Sequence, residues 1–241
     1  MRVLLAVLLI GIAGCGGDDN SPDDVAVSKP KSSQAKTHKL PAQTADADPV
    51  AALEKIGAEI KRNDQGEVVE VDLNFNDITD AGLVHLKGMT KLQILRLFGT
   101  KITDAGLIHL KGLTSLQTLD LFDTQITDAG LVHLTELTGL QSLKLGYNNI
   151  TDAGLVYLTG LTGLQSLNLA YNNITDAGLV HLKGLTNLQE LSLRDTKITD
   201  AGLMHLKGLT NLQELSLYDT KVTDAGVAEL KKALPNCEIL R

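Results

Sequence analysis

The sequence predicts an α/β solenoid, a stack of short strand–helix units with a parallel β-sheet on one face and short helices on the other. The first observation is a hexapeptide, Ile-Thr-Asp-Ala-Gly-Leu, that recurs every 24 residues. Its copies begin at Ile78, Ile102, Ile126, Ile150, Ile174, Ile198 and, as a variant, Val222. The second observation is that leucines before each copy have strand spacing and leucines after it have helix spacing. A fixed short period indicates one supersecondary unit stacked on copies of itself.

One copy of the unit shows its elements in order. Leu95 and Leu97 alternate with polar neighbours, which is typical of a strand. Leu107, Leu110 and Leu113 recur at steps of three, which favours about two turns of helix. Neighbouring strands lie about 4.8 Å apart, whereas packed helices need roughly 8–10 Å. We therefore expect the sheet on the concave face and the helices on the convex face.

Polar residues at the turns predict how each helix begins and ends. Thr103 stands at an N-cap position, Asp104 places a carboxylate in the first turn, and Gly112 ends the helix. Seven equivalent Thr-Asp pairs indicate capping, because a catalytic carboxylate is normally single. A second polar column can bond backbone groups at the turn, and it comprises Thr100, Thr124, Asn148, Asn172, Thr196 and Thr220.

Both ends of the array are predicted to carry caps, which repeat proteins need. We expect an N-terminal capping helix over 48–62, whose apolar face is formed by Val50, Leu53, Ile56 and Ile60. Seven repeats follow over 68–235. In the C-terminal cap, 231–241, Pro235 ends the last helix and Ile239 can add an edge strand. The caps complete one domain over 48–241.

The repeat resembles the leucine-rich repeat family, in its short bacterial "TDAGL" form, from Val68 to Arg241. This resemblance implies a curved solenoid with a parallel sheet inside and helices outside. The repeats are also similar to the cysteine-containing repeats of F-box substrate adaptors, but this chain has Thr or Asn at the usual Cys or Asn position. An adaptor role is disfavoured, because no F-box precedes the repeats and a secretory signal does.

The N-terminus predicts export and a lipid anchor. Residues 1–14 combine a positive start with an apolar stretch from Val3 to Ala13, which is too short to span a bilayer and suits a signal peptide. The segment ends in Ile12-Ala13-Gly14-Cys15, which resembles the bacterial lipobox. The resemblance implies that Cys15 becomes the acylated N-terminus, placing the protein at the cell membrane, or at the outer membrane or cell surface. An ordinary signal peptide with an incidental Cys is the alternative.

The composition of residues 15–47 predicts a disordered tether. Gly16 to Ala47 contain three of the five prolines and no Phe, Tyr or Trp. The 32 residues after Cys15 would have an end-to-end distance of about 30 Å. With Cys15 acylated, Cys237 has no disulfide partner. We expect Cys237 to be buried as a small hydrophobic residue.

The charge distribution disfavours nucleic acid as a partner. The first 47 residues carry five acidic and five basic side chains, so the whole net charge of −7 lies in residues 48–241. No basic stripe offers a surface that follows phosphates. No cofactor motif is present: phosphate loops, calcium loops, the His-Glu-x-x-His motif and nucleophile elbows are all missing from the sequence.

One helix column is rich in histidine and invites a metal-site interpretation. It comprises His85, His109, His133, Tyr157, His181, His205 and Glu229. Zinc needs nitrogens about 2.0–2.1 Å from a single ion, whereas helices in successive repeats carry these rings roughly 8–10 Å apart. We therefore interpret the column as structural and predict neither a metal site nor an enzyme. Two glycosylation-like triplets, at Asn149 and Asn173, are by-products of the repeat.

Variation between repeats predicts a binding surface. Six of the seven aromatic residues fall in two columns after the strand leucines, at the rim of the concave face: Phe75, Phe98, Phe122, Tyr147, Tyr171 and Tyr218. Charged side chains project around them: Arg96, Asp120, Asp123, Lys144, Arg194, Asp195 and Asp219. Aromatic residues with mixed charges are typical of protein-binding hot spots. The alternative is that the rings pack on neighbouring turns.

The sequence therefore predicts an acyl-anchored, non-catalytic recognition protein that binds another protein or a surface polymer. A scaffolding lipoprotein of the envelope without a dedicated ligand is the second hypothesis. An enzyme using the histidine column is the third.

Overall fold

The computed structural model of the protein describes residues 48–241. These residues form a continuous stack of repeats whose strands make a single sheet. The nine strands follow one another across the sheet in chain order. The first pair is antiparallel and every later pair is parallel. The predicted signal peptide, Cys15 and the tether over 15–47 lie outside the described residues.

The elements are short and evenly spaced. The strands are β1 Glu59–Arg62, β2 Val68–Asp72, β3 Ile94–Arg96, β4 Thr118–Asp120, β5 Ser142–Lys144, β6 Ser166–Asn168, β7 Glu190–Ser192, β8 Glu214–Ser216 and β9 Glu238–Leu240. The α-helices are α1 Pro49–Lys55, α2 Asp104–Leu107, α3 Asp128–Leu131, α4 Asp200–Leu203 and α5 Asp224–Lys231. The 3₁₀ segments are Asp80–Leu86, Ile108–Leu110, Val132–Leu134, Gly154–Leu158 and Gly178–Leu182.

The sheet register follows the 24-residue period. Leu95 pairs with Leu119, and Leu119 with Leu143, so equivalent residues lie side by side. The repeated leucine and isoleucine columns are almost completely buried and form one continuous core. Burial of each such side chain stabilises the fold by about 1.5–3 kcal/mol. The predicted α/β solenoid is confirmed.

The convex segments reach about the two predicted turns in several repeats, but part or all of each is 3₁₀ rather than α-helix. α2 comprises four residues and continues directly as a 3₁₀ segment to Leu110. Gly112 follows with a φ of 86°, in the left-handed region that ends helices. In the last repeat the residue equivalent to Gly112 is Lys232, and α5 runs for eight residues there. The third repeat has Glu136 at this place and the same helical length as the second, so the glycine by itself does not set the length.

The predicted capping helix over 48–62 is wrong in its second half. Helix α1 begins after the Asp48 N-cap and ends at Lys55, and Gly57 follows with a φ of 93°. Residues 59–62 form β1, which pairs with the edge of β2. Ile60 still packs on the core, but from a strand. Pairing at the sheet edge explains the difference, because β1 satisfies backbone groups of β2 that a helix would leave without partners.

The C-terminal cap is as predicted. α5 ends before Pro235, and β9 adds a parallel strand in which Ile239 pairs with Leu215. Cys237 is buried beneath it, and burial raises the pKa of its thiol. No helix within residues 48–241 is long and apolar enough to span a bilayer.

The aspartates of the hexapeptides connect successive repeats, a role beyond the predicted capping. Asp152 Oδ1 accepts a hydrogen bond from the backbone N–H of Thr175 at 2.8 Å, and Oδ2 accepts one from its hydroxyl at 2.6 Å. Thr175 Oγ1 in turn accepts the N–H of Ala177, at the start of the next helical turn. Equivalent pairs join Asp80 to Thr103, Asp104 to Thr127, Asp128 to Thr151, Asp176 to Thr199 and Asp200 to Thr223. We call these six pairs the Asp–Thr ladder.

The glycine of the hexapeptide makes room for the ladder. A Cβ atom at Gly178 would overlap the carboxylate of Asp152 from the previous repeat. The close approach of that side chain therefore requires glycine, although the backbone is in an ordinary conformation. At the last rung, hydrogen bonds from the hydroxyl and N–H of Thr223 hold the pKa of Asp200 below its ordinary value.

The Thr/Asn column closes the turns, as predicted. Thr100 Oγ1 donates to the carbonyl of Leu97 at 2.7 Å. Asn148 does more: its amide donates to three carbonyls, including that of Leu121 in the previous repeat, and its oxygen accepts the N–H of Ile126. These side chains satisfy backbone groups inside the stack, and the column is structural.

Candidate binding surface on the rim of the concave face

Charged residues of the first four parallel strands meet on the concave face. Arg96, Asp120 and Lys144 lie side by side on β3, β4 and β5. Lys144 Nζ lies 3.0 Å from Asp120, and Arg96 lies 3.5 Å from Asp72 and bonds Glu70. Their charges therefore alternate and neutralise one another along the row.

Glu70 and Asp120 are the two buried charged groups of this set. Glu70 has two cationic partners, Lys61 and Arg96. Burial raises its pKa, but hydrogen bonds from Lys61 and Arg96 outweigh this effect, so the pKa of Glu70 lies below its ordinary value. The carboxylate thus stays ionised on the sheet surface. A partner that binds this half of the concave face would meet paired charges. Such charges contribute more to the orientation in which the partner binds than to its affinity.

The other half of the concave face carries a charge row that the sequence analysis missed. Glu190, Glu214 and Glu238 lie directly side by side on β7, β8 and β9. Within residues 48–241 none of the three forms an ion pair. Like charges in register oppose each other. The 24-residue period would have revealed this column, since all three residues occupy one position of the repeat.

The predicted aromatic residues form a continuous ridge along the rim. Ring centroids are 4.5 Å apart for Phe75–Phe98, 5.4 Å for Phe98–Phe122, 6.4 Å for Phe122–Tyr147 and 5.7 Å for Tyr147–Tyr171. Arg194 continues the row, because its guanidinium lies 5.5 Å from the Tyr171 ring and 5.8 Å from the Tyr218 ring. These seven planar groups, one from each repeat, are called the ridge.

The rings lean across small residues of the following repeat. A Cβ atom at Gly99 would lie 2.9 Å from the Phe75 ring, and one at Gly146 would overlap the Phe122 ring. Phe75 and Tyr147 nevertheless remain 73% and 57% exposed. The rings therefore pack on each other and also present a surface. A role in packing and a role in binding are thus compatible.

The backbone beneath the ridge is strained at three rings. Phe75, Tyr147 and Tyr171 have φ values of 55°, 56° and 57°. This left-handed region suits glycine and Asn or Asp, and bulky residues rarely occupy it. The equivalent residues in three other repeats are aspartates, Asp123, Asp195 and Asp219. Such strain persists where the surrounding structure imposes it, often at functional sites.

The three aspartates differ in their surroundings. Asp219 lies 3.3 Å from Arg194, which orients the guanidinium between its two tyrosines. Asp123 and Asp195 are exposed. All the predicted rim residues therefore lie on one connected strip, running from the sheet surface to the turns. Within residues 48–241, no three His, Cys, Asp or Glu side chains are grouped so that they could hold a metal ion.

Comparisons with known proteins agree with this architecture. Models of the "Leucine rich repeat" match residues 138–198 and 68–86, and a model of "Leucine Rich repeats (2 copies)" matches 90–133, 114–155 and 186–236. No match was found among curated proteins.

Several solved structures are similar. An internalin (inlF) from Listeria monocytogenes has a TM-score of 0.60 at 26% identity, over 80% of this chain and 53% of that one. The chain thus spans about half the length of that protein. An internalin C2 (inlC2) from the same species has a TM-score of 0.54 at 28% identity, over 79% of this chain and 91% of that one.

The PEPR1–AtPEP1 structure has a TM-score of 0.51 at 21% identity, over 75% of this chain and 25% of that one. At that identity it supports the fold alone. The repeat register, the buried leucine columns and the family matches point to one assignment. The chain belongs to the leucine-rich repeat family.

Proposed function

We propose that the protein is a non-catalytic recognition protein that binds a protein partner through the ridge and the adjoining concave face. The observation that carries this proposal is the ridge, because it places one planar group from every repeat on a single surface. Two of its rings are more than half exposed despite their size. A long exposed apolar surface normally marks a site of interaction.

The ridge is suited to binding because it is ordered before a partner arrives. From Phe75 to Tyr171 each ring contacts the next, and Arg194 lies between Tyr171 and Tyr218, so few side-chain rotamers remain to be immobilised on association. The left-handed backbone at Tyr147 and Tyr171 costs on the order of 1 kcal/mol each. An aspartate or glycine at these positions would avoid most of that cost, which supports a role for the rings other than stability.

The test removes exposed rings without straining the backbone. Phe75→Asn with Tyr147→Asn places a residue that tolerates a left-handed φ at both positions. Each lost hot-spot ring costs about 2 kcal/mol or more, so the double variant should bind about a thousandfold more weakly. The matched control is Val132→Asn with Val156→Asn, which removes two other exposed apolar side chains, from the convex face.

The measurement is photo-crosslinking of the full-length protein in cell-envelope membranes, with circular dichroism to confirm folding. We expect crosslinked partners to be lost from the ridge variant and retained by the control. Retention of all partners by a folded ridge variant would contradict the proposal and favour the scaffolding hypothesis.

Anchoring by an acylated Cys15 is a separate part of the proposal and is supported by the lipobox-like sequence around it. Two or more acyl chains would anchor the protein stably, because one chain binds only marginally. Cys15→Ser should release the protein from membranes or leave an uncleaved precursor. Partitioning of a processed Cys15→Ser protein into a detergent phase would contradict the anchor.

A further inference from the structure

A polar cleft adjoins the ridge in the fourth to sixth repeats. It has a volume of about 410 Å³, within the size range of small-molecule sites. Tyr147 and Tyr171 contribute rings, and Asn149, Asn173, Asp195 and Lys197 contribute polar side chains. Its exposed lining is more polar than apolar. We propose that this cleft binds a neutral oligosaccharide of linked pyranose units.

The polar side chains are free to bind a ligand. Asn148 and Asn172 bond the backbone beneath the cleft, whereas the amides of Asn149 and Asn173 make no hydrogen bond within residues 48–241. Asp195 and Lys197 also form no ion pair in that range. The cleft therefore offers donors and acceptors together with balanced charge. A sugar hydroxyl both donates and accepts, so a hydroxyl-rich neutral ligand can satisfy these groups.

The tyrosines supply the second element of sugar recognition. A pyranose ring has an apolar C–H face that packs on aromatic rings, and tyrosine adds a hydroxyl at its edge. An apolar ligand would instead cover the free amides and leave them unsatisfied, which costs about 1–3 kcal/mol for each buried group. The combination of exposed rings with unbonded amides distinguishes this cleft from the rest of the ridge.

The cleft contains the same triplet twice. Tyr-Asn-Asn occurs at 147–149 and again at 171–173, and in no other repeat. The two rings are 5.7 Å apart. The rings meet edge to face, with an angle of 64° between their planes, so an occupant that packs on both faces must bend between them. The acidic domain disfavours nucleic acid.

This proposal goes beyond protein recognition and can be tested separately from it. Asn149 and Asn173 lie off the ridge, so Asn149→Ala with Asn173→Ala should impair saccharide binding and leave partner crosslinking unchanged. Gln189→Ala with Gln213→Ala is the matched control, because it removes two amides one repeat apart from a polar cleft that has no ring.

The experiment is isothermal titration calorimetry of the full-length protein with cellohexaose, chitohexaose and mannohexaose. We expect at least one hexasaccharide to bind, and at least tenfold more tightly than its monosaccharide because two equivalent subsites act together. The Asn149/Asn173 variant should bind it at least tenfold more weakly, Tyr147→Asn with Tyr171→Asn should abolish binding, and the glutamine control should match the wild type. Circular dichroism checks the fold of each variant.

Three results would overturn the inference. They are no heat of binding with any of the three hexasaccharides at millimolar concentration, equal losses in the asparagine and glutamine variants, or loss of a crosslinked protein partner from the Asn149/Asn173 variant. The last result would assign the cleft to protein recognition.

Discussion

Removal of one rung of the Asp–Thr ladder should weaken the contact between two repeats far more than loss of a helix cap would. Asp152→Ala deletes both hydrogen bonds to Thr175 and leaves a part-buried N–H without its acceptor. Hydrogen bonds to a charged group contribute about 1.5–3 kcal/mol each. Allowing for partial exposure, we expect a loss of about 3 kcal/mol in the free energy of unfolding.

Asp224 provides the matched control. It occupies the same position of the seventh repeat, its carboxylate is exposed, and within residues 48–241 its side-chain partner is Arg241 rather than a threonine. Asp224→Ala should therefore cost about 1 kcal/mol or less, as for other surface ion pairs. Asp152→Asn keeps an acceptor for the N–H but loses the charge, so its cost should be intermediate.

The assay is urea unfolding followed by far-ultraviolet circular dichroism, since the chain has no tryptophan. Weakening of a central interface should also lower the m-value or split the transition, because repeat arrays are stabilised by nearest-neighbour contacts. Equal costs for Asp152→Ala and Asp224→Ala would refute the ladder and restore simple helix capping.

Three further predictions concern the core, the ridge and a surface charge. Leu145→Ala should cost about 2–5 kcal/mol in urea unfolding, because Leu145 is fully buried in the central core. Tyr147→Asn should change stability by less than about 1 kcal/mol, since relief of backbone strain offsets the lost ring contacts; a loss above about 3 kcal/mol would make the ring a packing element. Hydrogen bonds from Lys232 and Lys207 lower the pKa of Glu229 to about 2. Because that pKa is depressed on folding, Glu229→Gln should reduce stability at pH 7, and urea unfolding should show the difference vanishing as the pH falls from about 4.5 to about 2; a pH-independent difference would contradict it.

Much of the fold could be predicted because its determinants are local and repeated. The spacing of Leu95 and Leu97 predicts a strand, and the period places each leucine beside its equivalent in the next repeat. Pro235 and Ile239 predict the closing strand for the same reason. The start of the array is different, because α1 ends at Lys55 and β1 replaces the rest of the predicted helix. Residues 59–62 form a strand because the edge of β2 is open to pairing. The spacing of apolar residues along the chain does not show that edge.

The candidate site was only partly predictable from the sequence. The aromatic columns were visible as departures from the repeat, but the place of Arg194 between two tyrosines was not. The second function of Asp152 and the unbonded amides of Asn149 and Asn173 were also hidden.

The sequence by itself determined the period, the core columns, the strand register and the composition of the rim, because each depends on spacing along the chain. The tertiary structure alone decided which side chains touch between repeats: the Asp–Thr ladder, the leaning rings and the cleft. The ladder and ring contacts join residues 23–25 positions apart. They depend on how closely two units approach and on the direction in which each side chain points. The spacing of residue types along the chain shows neither the approach nor the direction.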